Sequence, residues 1–120
     1  MRSTSMIALL WLLLLGAADA QAHAQLNRAS PAVGSTVRSA PRVLSLWFTE
    51  NLESSFSTVE VRGPDGSRVD LGNARVDGGN RSLLRIGLKS LGPGTYRVHW
   101  RVLSVDTHRT EGSFSFQVGQ

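Results

Sequence analysis

The chain has 120 residues, a formal net charge of +4 and no cysteine. That length holds one small core, and the missing thiols exclude disulfide staples, thiolate metal sites and a cysteine nucleophile. Arg62, Arg68, Arg75, Arg81, Arg85, Arg97 and Arg101 are spread singly along the chain, mostly between apolar residues. They read as solvated strand faces and edge protection, which argues against a nucleic-acid partner.

In chain order, Arg2 precedes the apolar run Met6–Ala18, and small residues follow at Ala18-Asp19-Ala20 and Ala20-Gln21-Ala22. This is the pattern of a secretory signal peptide, shorter than the ~20 apolar residues of a membrane span. Residues 1–22 are therefore expected to be removed on export, leaving residues 23–120 as one domain. Cleavage after Ala22 exposes His23, whose α-amine and ring Nδ1 can chelate one metal ion. Cleavage after Ala20 leaves Gln21-Ala22-His23, in which an amine, two amides and an imidazole can surround Cu(II). Losing Arg2 and Asp19 together keeps the net charge at +4.

Pro31, Gly34 and Pro41 forbid a helix over residues 27–41 and predict a short edge strand followed by a turn-rich crossing. Residues 42–49 form a strand with Val43, Leu46 and Phe48 inward, closed by Glu50-Asn51-Leu52-Glu53. The next strand covers residues 56–62, and Gly63-Pro64-Asp65-Gly66 turns it back into residues 68–71. After the polar stretch 73–80 comes a strand over residues 81–88, then a turn at Leu91-Gly92-Pro93-Gly94. Tyr96, Val98, Trp100 and Val102 alternate with Arg97, His99 and Arg101; Phe114, Phe116 and Val118 alternate with Ser113, Ser115 and Gln117. Period two marks strands with one buried face. About seven short strands with turns at this spacing predict an all-β, immunoglobulin-like Greek-key β-sandwich.

The connection between the last two strands, residues 104–112, carries Asp106 and His108, which project from one side of an extended backbone. A sandwich commonly places its N-terminal strand beside its last strands, within reach of His23. An amine, two imidazoles and a carboxylate suit a tetragonal Cu(II) ion. His99 alternates with Arg97 and Arg101 and reads as an exposed strand residue. Ser104, Asp106 and His108 contain the letters of a hydrolase triad, but they share one connection and no nucleophile elbow surrounds the serine.

Four stretches together resemble the CopC-type periplasmic copper-resistance proteins: His23-Ala-Gln-Leu26 followed by Ala29-Ser-Pro-Ala-Val-Gly34; Leu46-Trp-Phe-Thr-Glu-Asn-Leu52; Gly92-Pro-Gly-Thr-Tyr-Arg-Val-His-Trp-Arg-Val102; and Ser104-Val-Asp-Thr-His108 with Gly112-Ser-Phe-Ser-Phe116. The resemblance spans the mature chain. It implies a periplasmic, monomeric, non-enzymatic carrier that holds one Cu(II) through the His23 amine and ring, Asp106 and His108. It further implies that Glu50 hydrogen-bonds near the metal and that copper passes to a CopD-type inner-membrane protein. Two features depart from the family: Met1 and Met6 both leave with the signal, removing any thioether Cu(I) site, and Arg109 stands where a proline is frequent. The alternative from another class is a copper-dependent oxidative enzyme with a histidine-brace site. Such enzymes leave copper positions open, whereas Asp106 would fill one here.

Overall fold

The computed structural model describes residues 24–120. The expected signal peptide and His23 lie outside the described residues. Two four-stranded sheets form a sandwich. One is built from β1 (Leu26–Ser30), β3 (Val43–Phe48), β6 (Leu83–Gly87) and β5 (Arg75–Val76), in the order β1-β3-β6-β5. The other is built from β2 (Thr36–Val37), β8 (Arg109–Val118), β7 (Gly94–Leu103) and β4 (Thr58–Arg62), in the order β2-β8-β7-β4. All neighbours are antiparallel except β2, which pairs parallel with β8. Two-residue strands bring the count to eight, and the helical content of the described residues is one 3-10 turn at Ser54–Phe56.

Alternation builds the core. Leu44, Leu46 and Phe48 meet Val59, Val61, Leu84, Ile86, Val98, Trp100, Val102 and Phe116, all buried. Each large side chain removed from water contributes about 1.5–3 kcal/mol. Phe48 meets Trp100 edge-on with centroids 5.1 Å apart, and Tyr96 stacks on Phe116 at 5.5 Å. The Tyr96 hydroxyl donates to the Gly92 carbonyl at 2.6 Å, pinning the turn that enters β7.

Three local expectations are corrected. Val43 points outward and is 48 % exposed, while Leu44 is fully buried. Val43 lies opposite Gly87 in the register, and the inward set is the unbroken alternation Leu44, Leu46, Phe48. Residues 68–71 form no strand and make only the isolated bridges Arg62↔Arg68 and Asp70↔Leu88. The final connection is shorter than expected, because β8 begins at Arg109 and pairs with β7 from Leu103↔Arg109 to Gly94↔Val118. Within this ribbon Gly112 faces Trp100, and a Cβ at Gly112 would lie 2.4 Å from the indole.

Candidate metal centre

The loop closing the β7–β8 ribbon brings Asp106 and His108 together. The Ser104 N–H donates to the His108 carbonyl at 3.0 Å, and the Thr107 N–H donates to the Ser104 carbonyl at 2.9 Å. Thr107 has φ 72°, a left-handed conformation that is rare for a β-branched residue. A turn followed by one left-handed residue is a recurrent three-residue hairpin loop. The loop is therefore coiled where an extended backbone was expected. Its curvature, rather than alternation, sets Asp106 Oδ1 3.3 Å from His108 Nδ1. Both side chains are 45 % exposed.

Ser104, with no exposed surface, donates its hydroxyl to Asp106 Oδ1. That hydrogen bond, opposed by desolvation and assisted by His108, holds the Asp106 carboxyl below its ordinary value. The carboxylate is thus ionised and fixed in orientation at neutral pH. Ser104 serves as a support for Asp106; burial leaves its hydroxyl no access to a substrate, which removes the hydrolase reading.

Two further segments converge on this loop. At the start of β1, the Ala24 carbonyl accepts a hydrogen bond from Thr110 Oγ1 at 2.8 Å. The Gln25 N–H donates to Thr49 Oγ1 at 2.9 Å, and the Thr49 N–H returns to the Gln25 carbonyl at 2.9 Å. After β3, the Val105 N–H donates to the Asn51 carbonyl at 3.0 Å, and Leu52 bridges Ser104. Glu50 is half-buried between Thr49, which holds Gln25, and Asn51, which holds Val105.

The described residues contain no cluster of three His, Asp or Glu side chains fit for a metal ion. Asp106 and His108 supply two, on a corner to which Ala24 is tied. His99 stands apart on the outer face of the second sheet, with Nε2 3.3 Å from Glu111. The supporting roles of Ser104, Thr49 and Thr110 escaped the sequence reading. Each is a hydroxyl residue in a strand or turn context that carries no mark of its long-range partner.

The CopC domain model matches residues 26–119. Copper resistance protein C of Xanthomonas campestris pv. juglandis is 39 % identical over 110 residues, covering 87 % of this chain and 86 % of that protein. The crystal structure of CopC from Methylosinus trichosporium OB3b superposes with a TM-score of 0.75 at 30 % identity, covering 81 % of this chain and 94 % of that one. PcoC, described as a methionine-rich copper resistance protein from Escherichia coli, superposes with a TM-score of 0.68 at 34 % identity over 81 % and 99 % of the two chains. The sandwich, the hairpin loop and these similarities converge: the chain belongs to the CopC domain family.

Proposed function

We propose that this protein is an exported, periplasmic Cu(II)-binding carrier whose residues 23–120 form a single monomeric domain. Copper is its cargo, held by the amine and ring of His23 together with Asp106 and His108, with Glu50 hydrogen-bonding beside them. The observation that carries this reading is the tie from Thr110 to the Ala24 carbonyl, two residues beyond His108 and one beyond His23. Donor chemistry fits the ion: an ionised carboxylate and an imidazole sit 3.3 Å apart, and nitrogen–oxygen sets favour Cu(II) over other divalent first-row metals. Residues 23–120 contain no methionine, so the site offers no thioether for Cu(I). With Asp106 occupying one position, the role is binding and transfer, without turnover, to a CopD-type inner-membrane protein.

The decisive experiment is a copper titration of two forms, one starting at His23 and one at Ala22. The extra residue turns the His23 amine into an amide while leaving every side chain in place. Affinity should fall by orders of magnitude with no change in thermal midpoint of the apo-protein. Equal affinity in both forms would remove the amine from the ligand set. Persistent oxygen consumption with ascorbate and bound copper would replace the carrier role with an enzymatic one.

A further inference from the structure

The two outer faces of the sandwich differ in how their cations are balanced. On the β2-β8-β7-β4 sheet, Glu60 meets Arg62 at 3.5 Å and Arg68 at 3.3 Å, and Glu111 meets Arg101 at 3.4 Å. On the β1-β3-β6-β5 sheet, Arg75 and Arg85 lie directly opposite one another across β5 and β6. Like charges in that arrangement repel. Among the described residues the acidic side chain paired with them is Asp77, 3.5 Å from Arg85 Nη1, while Arg85 Nε is buried without a hydrogen-bond partner.

Arg42 joins this pair around a shallow groove with Val43, Leu71 and Asn73. Gly87 leaves open space on β6 that the Leu71 and Asn73 side chains occupy: a Cβ there would lie 2.7 Å from Leu71 Cδ1, and that side chain would have to shift. Leu71 is 55 % exposed and Val43 48 % exposed, beside the three guanidinium groups. On the same face Arg28 stacks over Trp47, 3.9 Å from the ring centroid.

We propose that this face docks on an anionic phospholipid surface, with the Arg42–Arg75–Arg85 groove taking headgroup phosphate and Val43 and Leu71 entering the interface. Guanidinium groups match phosphate oxygens in pairs. Apolar side chains rimmed by cations suit the boundary between headgroups and acyl chains. A protein or nucleic-acid partner would not require the apolar pair to be interleaved with unbalanced cations. The groove lies at the Val43 end of β3, away from Thr49 and the Asp106–His108 loop, so docking leaves the loop open and does not depend on copper.

The test is co-sedimentation of the exported form with vesicles of phosphatidylglycerol and phosphatidylcholine in equal parts, at about 0.1 M salt, where charges still act over roughly 10 Å. Binding is expected to these vesicles and not to pure phosphatidylcholine. The double variant Arg75→Gln/Arg85→Gln should lose about thirtyfold, since each cation near an anionic surface contributes roughly fivefold. Arg62→Gln/Arg97→Gln, which removes two charges from the opposite sheet, should bind nearly as the parent. Equal loss from both pairs would reduce the effect to net charge and overturn the assignment, as would failure of the parent to bind. Displacement by inorganic phosphate beyond a chloride control of equal ionic strength would reassign the groove to a free anion. Unchanged thermal midpoints and copper affinity in both variants confirm that only the surface was altered.

Discussion

Thr110 Oγ1 holds the carbonyl of Ala24 at 2.8 Å, joining the first described residue to the strand that leaves the Asp106–His108 loop. Ala24 is 1 % exposed, so this carbonyl has no solvent to turn to. Replacing the hydroxyl with a methyl in Thr110→Val keeps the shape and strands the carbonyl. That costs about 1–3 kcal/mol, and the start of the chain is expected to detach to avoid it. Copper affinity should fall roughly fivefold to a hundredfold while the core melts unchanged. Titration and thermal melting measure the two separately, and unaltered affinity would show that Thr110 does not position His23.

Asp106→Ala and His108→Ala should each weaken Cu(II) binding by at least about a hundredfold, the scale on which even supporting residues affect metal sites. Neither side chain packs in the core, so the apo-protein should keep its melting temperature within a few degrees. His99→Ala is expected to leave copper binding intact, since His99 contacts Glu111 on the other sheet's outer face. A large loss in that variant would redraw the ligand set.

Thr107 occupies a left-handed conformation that costs a non-glycine residue about 1–2 kcal/mol. Thr107→Gly relieves it at a backbone-entropy cost of roughly 0.5–1 kcal/mol. Unfolding of this variant should show equal or slightly raised stability with copper binding retained. Thr107→Pro, locked near −65°, cannot adopt φ 72° and should lose both the loop and the metal. Copper binding by the proline variant equal to the parent's would disprove the role given to loop curvature.

Gly112→Ala would drive a methyl to 2.4 Å from the Trp100 ring and 2.8 Å from its neighbouring atom. Trp100 is wedged edge-on against Phe48 and has little room to retreat. The expected destabilisation is about 1–3 kcal/mol, typical of an overfilled core. Denaturant unfolding followed by tryptophan fluorescence reads it directly, and a variant as stable as the parent would mean that the indole can shift.

Asp70 contributes to the acid sensitivity of the fold. Burial pushes its carboxyl up, but hydrogen bonds from Arg68, the Val61 N–H and the Gly72 N–H outweigh burial and bring it below its ordinary value. A lowered folded-state value means that its stabilisation is complete above the unfolded value, about 3.9. It is lost as pH falls through the lower folded-state value. Asp70→Asn should therefore melt below the parent at neutral pH, and the gap should close in acid. A gap constant from neutral pH to pH 2 would indicate that charge is not what Asp70 contributes.

The sequence by itself determined the sandwich. Period-two alternation in residues 96–102 and 114–118 tells which faces are buried, because that pattern follows from the pleat of a single strand. It also singled out Asp106 and His108 as candidate ligands, because spacing and residue type are local properties. Tertiary structure decided what depends on partners distant in the chain. Val43 faces outward because Leu44, Leu46 and Phe48 are the residues packed against the opposite sheet, and residues 68–71 pair too briefly to form a strand. The loop that joins Asp106 to His108 is curved by a left-handed threonine, a conformation that threonine does not advertise. Thr110 and Ala24 are 86 residues apart in the chain. Hydroxyl and guanidinium side chains look alike wherever they stand in a sequence. Only the register of the sheets assigns Ser104 to a carboxylate, Thr110 to a carbonyl, and Arg75 to another arginine.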